Sequence, residues 1–201
     1  MKKIITSLLI FSTFVDSSVF NSQSLIHPAV NRNGMVVTQH YLATDVGAKI
    51  LEDGGNAYDA SIAVAFALAV VLPRAGNIGG GGFMVMYDKE TNENLSIDYR
   101  EMAPKLASKD MFLNDDGSVN KKRAREGILS IGVPGTVYGM WEVHKKFGSI
   151  SWKKLIEPAI KLAEEGFIMS PFMADALNRR YKKLSNLSLI HISEPTRQWQ
   201  I

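Results

Sequence analysis

From Ile62 to Leu72 the chain runs eleven residues without a polar side chain, and Pro73 stops the run. A helix apolar on every face has to lie between layers of other structure, and this one is too short to span a bilayer. Asn56 can cap its start, and Asp59 falls in the first turn, where a negative charge suits the exposed N–H groups. Just upstream, Leu42, Val46 and Ile50 recur every four residues with Leu51 beside them, which predicts a one-faced helix closed by Gly54-Gly55. After Pro73 comes Gly76-Asn77-Ile78-Gly79-Gly80-Gly81-Gly82, then a strand over 83–87 and a polar turn through Glu90 to Asn94. The partner strand, Leu95 to Arg100, alternates: Leu95, Ile97 and Tyr99 face one side, Ser96, Asp98 and Arg100 the other. Two helices followed by a hairpin predict an α+β chain with helices packed on an antiparallel sheet.

The remaining segments are read more coarsely. Met35 to Thr38 is a short apolar stretch expected as a strand. Asn114 to Ser118 is a turn, followed by the basic run Lys121 to Arg125. No aromatic residue interleaves that run, so it reads as a solvated face and not a nucleic-acid patch. The overall charge agrees: 23 basic against 20 acidic residues leave only +3 and no basic stripe. Gly132 to Thr136 opens a helix toward Phe147. Trp152, Leu155, Ile156, Ala159, Ile160 and Ala163 form a helical stripe, with Pro158 either kinking it or starting a new helix and Gly166 ending it. Ser170-Pro171 starts a final helix.

Several chemistries are excluded. With no cysteine there is no disulfide, thiol nucleophile or cysteine-held metal. The nucleotide, zinc-protease and α/β-hydrolase signatures are absent. His27, His40, His144 and His191 stand singly and read as surface or hydrogen-bonded imidazoles. Two features remain open. The run Gly79 to Gly82 permits positive φ and the close approach of a backbone or a ligand, or is simply a tight helix-to-strand connection. Arg100 offers a fork of donors to a carboxylate, or pairs with Asp98 or Glu101.

Both ends of the chain differ from its middle. Lys2-Lys3 followed by the apolar run Ile4 to Val15 is read as an export signal occupying 1–20 and cut between Ser17 and Gln23. At the far end, Leu187 to Arg197 is what one reading frame of a transposon-based sequencing adapter encodes. Residues 187–201 are therefore expected to be a non-native tail, leaving 21–186 as the native part.

Taken together, Gly54-Gly55-Asn56-Ala57-Tyr58-Asp59-Ala60, Ala75 to Phe83 and Asp98-Tyr99-Arg100-Glu101-Met102-Ala103-Pro104 resemble the gamma-glutamyltranspeptidase family in order and spacing. Asp110-Met111-Phe112, Gly132 to Thr136 and Pro158 to Ala163 extend the resemblance over about Gly34 to Phe172. It implies part of an αββα sandwich of the N-terminal-nucleophile hydrolase type, made as a precursor that cuts itself into two subunits. The cut would expose a threonine whose hydroxyl attacks the γ-glutamyl amide of glutathione. Its own amine would be the base, and water or an amino-acid or peptide acceptor would take the glutamyl group, with no cofactor or metal. Bacterial members are exported, so a periplasmic or secreted location is expected.

The resemblance also gives Arg100 the task of holding the α-carboxylate of the glutamyl group, and makes Gly79 to Gly82 packing near that site. Thr136 is assigned to structure, because it lies within the large-subunit pattern. The nucleophilic threonine and the small subunit are expected beyond this chain, which alone would be inactive. A related cephalosporin or glutaryl acylase and a non-catalytic remnant are the alternatives.

Overall fold

The computed structural model describes residues 30–126, 128–181 and 185. The expected signal and tail, with His27 and His191, lie outside them. Residues 1–35 form one unit, whose described positions hold no regular element, and residues 36–201 form a second that holds all those reported below.

Helix α1 (Tyr41–Glu52) ends as its glycines foretell. Gly54 takes φ +89°, and the Gly55 and Gly54 N–H groups donate to the carbonyls of Ile50 and Leu51 at 2.9 and 3.1 Å. This is a Schellman closure, with glycine in the left-handed position. Helix α2 (Ala57–Val71) starts at once under a reciprocal cap: the Asp59 N–H donates to the Asn56 side chain and the Asn56 N–H to the Asp59 carboxylate. Ile62, Ala63, Phe66, Ala67 and Val71 are buried. Val64, Ala65, Leu68, Ala69 and Val70 are only half-buried, so the second layer expected over α2 is incomplete among the described residues.

Strands β1 (Phe83–Asp88) and β2 (Glu93–Asp98) pair antiparallel, with Phe83 opposite Asp98 and Val85 opposite Ser96. The turn puts Asn92 at φ +57°, a conformation asparagine tolerates, and the Asn92 side chain accepts the Tyr87 hydroxyl at 2.8 Å. The alternation predicted for β2 is present: Leu95, Ile97 and Tyr99 are half-buried and their neighbours exposed. With Met84 and Met86 they pack into the core cluster of Ile62, Phe66, Met140, Val143 and Leu155.

The strand expected at 35–38 is not formed. Thr38 instead makes a local turn: its hydroxyl bonds the His40 carbonyl at 2.7 Å and accepts the His40 N–H at 3.1 Å. Such side-chain bonds compete with ladder pairing. The basic run forms a short exposed helix, α3 (Lys121–Arg125). Helices α4 (Thr136–Phe147), α5 (Trp152–Glu165) and α6 (Pro171–Asn178) follow. Pro158 begins no new helix, for α5 runs through it. The Lys154 carbonyl that Pro158 cannot serve belongs to an exposed residue, within reach of water.

Candidate functional site

β2 ends two residues before Arg100 because the Asp98 carboxylate accepts the Arg100 N–H at 2.9 Å and turns the chain off the ladder. The Tyr99 N–H makes a last ladder-like bond to the Gly82 carbonyl at 3.0 Å. Four residues after Asp98 the chain is caught again, where Met102 and Val133 exchange backbone bonds at 3.2 and 2.8 Å. Arg100 thus sits between two backbone anchors.

Glycines from two separate stretches pack against the same segment. A Cβ on Gly81 would collide with the Tyr99 carbonyl oxygen, the Arg100 Cα and the Glu101 nitrogen, and one on Gly135 with the Tyr99 carbonyl. Gly82 and Gly139 lie against the Tyr99 ring. The Gly80 carbonyl ties the two glycine segments together by accepting the N–H groups of Gly135 and Thr136 at 2.8 and 3.0 Å. Backbone thus approaches backbone at Gly81, while a Cβ at Gly79 would meet open space. Burial pushes the Tyr99 phenol above its ordinary pKa, which leaves it neutral at physiological pH.

The Arg100 side chain itself is about 64% exposed. Its Nε lies 3.7 Å from a Glu101 carboxylate oxygen, and its guanidinium carbon sits 5.8 Å from the centre of the Phe83 ring. Among the described residues nothing bonds the Nη1–Nη2 edge. That edge can receive a carboxylate with two parallel bonds.

Thr136 is buried at the start of α4, and its hydroxyl lies 3.3 Å from the Asn77 side-chain oxygen. Two histidines are hydrogen-bonded. The His40 ring accepts the Leu42 N–H at 3.3 Å and caps α1, and the His144 Nε2 meets the Ile150 carbonyl at 2.8 Å. Sequence reasoning missed Phe83. Its place beside Arg100 follows from the β1–β2 register, which a five-residue polar turn does not fix in advance.

The Gamma-glutamyltranspeptidase family model matches residues 43–199, a span that runs into the segment expected as tail. The glutathione hydrolase proenzyme of Escherichia coli is 46% identical over 155 residues, 77% of this chain and 27% of that protein. The solved Helicobacter pylori gamma-glutamyltranspeptidase superimposes with a TM-score of 0.76 at 46% identity, over 81% of this chain and 46% of that one. The cephalosporin acylase of Bacillus halodurans gives 0.60 at 28% identity, over 79% of this chain and 30% of that one. The chain therefore spans about a quarter of the length of the curated relatives it matches. Its helices and hairpin are part of the N-terminal-nucleophile hydrolase fold seen in those transpeptidases. With the family model covering most of the sequence and the glycine-clamped Arg100 segment formed by its matching motifs, the chain belongs to the gamma-glutamyltranspeptidase family.

Proposed function

We propose that this chain is an N-terminal part of the large subunit of a self-processing glutathione hydrolase and γ-glutamyltransferase, and that Arg100 receives the α-carboxylate of the γ-glutamyl group. The observation carrying this reading is the clamped Arg100 peptide with an open Nη1–Nη2 edge. A rigid peptide beneath a charged fork supports recognition by a bidentate, charge-assisted pair, which fixes the orientation of the amide to be cut.

In the proposed reaction a small-subunit threonine, outside this chain, attacks the γ-carbonyl carbon. Its α-amine takes the hydroxyl proton and delivers it to the departing amine, leaving a glutamyl ester. Water or an acceptor amine then attacks the ester and restores the hydroxyl. The 46% identity to the transpeptidase structure, against 28% to the acylase, supports a γ-glutamyl substrate over an acylase side chain.

The test is kinetic, on the full-length precursor that contains the native part of this chain. Arg100→Ala is expected to leave self-cleavage into two subunits intact on a denaturing gel. KM for a chromogenic γ-glutamyl anilide should rise roughly 10- to 100-fold, the loss of a hydrogen-bonded charged group. An unchanged KM would overturn the assignment. We also propose export to the periplasm or medium, on the strength of Lys2-Lys3 and the apolar run to Val15. The enzyme should then appear in the osmotic-shock fraction or the medium, and deleting residues 1–20 should confine it to the cytoplasm.

A further inference from the structure

We infer that Phe83 is a positioning residue for substrate binding: its ring is the platform that holds the Arg100 guanidinium with its Nη1–Nη2 edge outward. This rests on the reading of Arg100 given above and adds a residue to it.

Phe83 is an aromatic residue on the outer face of the hairpin, about 62% exposed, with no part in the core cluster. Burial within this chain therefore does not explain its ring. Its in-register partner is Asp98, the residue whose carboxylate turns the chain at Arg100. The open end of the hairpin thus supplies both the bond that fixes the Arg100 backbone and the ring beside its guanidinium, 5.8 Å from the ring centre. The Glu101 carboxylate comes nearest to Nε, at 3.7 Å. A long arginine side chain free in solvent loses rotamer entropy when it binds a carboxylate. A ring within cation–π distance of the guanidinium removes part of that cost before substrate arrives.

The alternative use of Phe83 is plain apolar packing against another part of the assembled protein. The two roles separate by chemistry: packing is served by any apolar side chain of similar volume, whereas a platform needs a π face. In the full-length, self-processed enzyme, Phe83→Leu is expected to raise KM for the γ-glutamyl anilide about 2- to 5-fold with kcat nearly unchanged. That range matches an exposed cation–π contact of about 0.5–1 kcal/mol converted at 1.36 kcal/mol per tenfold. Phe83→Tyr and Phe83→Trp, which retain a π face, should restore the lower KM. Combined with Arg100→Ala, Phe83→Leu should add nothing further.

A Phe83→Leu enzyme with unaltered KM, or one whose effect is equally large in the Arg100→Ala background, overturns the platform while leaving Arg100 in its role. So does a fall in kcat or in precursor self-cleavage with KM constant, which marks packing. If Arg100→Ala itself leaves KM unchanged, the reading of Arg100 fails and the platform falls with it.

Discussion

Asp59 shows how far one residue's work can exceed its local signal. The sequence places it in the first turn of α2, where it completes a cap. The structure buries it fully and gives its carboxylate the Ser149 N–H at 3.1 Å, the Ser149 hydroxyl and the Ile150 N–H at 3.4 Å. Asn56 reinforces the same corner by donating its side-chain amide to the Phe147 carbonyl at 2.7 Å. The start of α2 is thereby tied to the turn between α4 and α5, some ninety positions away. Asp59→Ala would strand these donors in a buried place, at a cost of about 3 kcal/mol. Urea denaturation of the full-length protein should show this as a lowered midpoint. A shift no larger than that of an exposed Asp115→Ala control would mean that the corner is held by something else.

Elements were legible where local chemistry decides them. The Gly54-Gly55 stop of α1, the Asn56 cap of α2, the alternation in β2 and the Ser170-Pro171 start of α6 all depend on a few neighbouring residues. Local reasoning failed where two preferences compete. Thr38 exchanged an expected strand for a side-chain turn, and Asp98 ended β2 before Arg100 by taking the Arg100 N–H. At Pro158 the spacing left two outcomes, and the helix continued. Leu155 and Ala159 are buried on either side of the proline, so packing of the apolar stripe holds the turn that a missing N–H would weaken.

At the scale of the molecule, the described chain buries one side of its hairpin and leaves the other open. Phe83, Val85 and Tyr87 point outward, with Val85 about 80% exposed. A groove of about 510 Å³ between β2 and α4, where the half-buried Leu95, Ile97 and Phe147 are among the lining residues, adds more uncovered apolar surface. A two-stranded sheet also has two unpaired edges. Residues 21–186 made alone should therefore aggregate or elute as broad oligomers in size-exclusion chromatography with light scattering. Val85→Lys should shift that product toward monomer. A wild-type fragment that is monomeric and melts cooperatively would show that the exposed face needs no cover.

The sequence alone determined most of the element types and the family, because caps, periodicity and long motifs are written in adjacent residues; the cover it led one to expect on every face of α2 is present on one side only among the described residues. It also marked Arg100 and the glycine segments as the residues to examine. Only the tertiary structure decided what those glycines do. Gly81 and Gly135 come from separate stretches and both meet the backbone of the Tyr99–Arg100 peptide, an approach closer than any side chain permits. Likewise Phe83 reaches Arg100 through strand register, and Asp59 reaches Ser149 across ninety positions. Contacts of that kind depend on how elements pack, and spacing along the chain does not encode the distance between them.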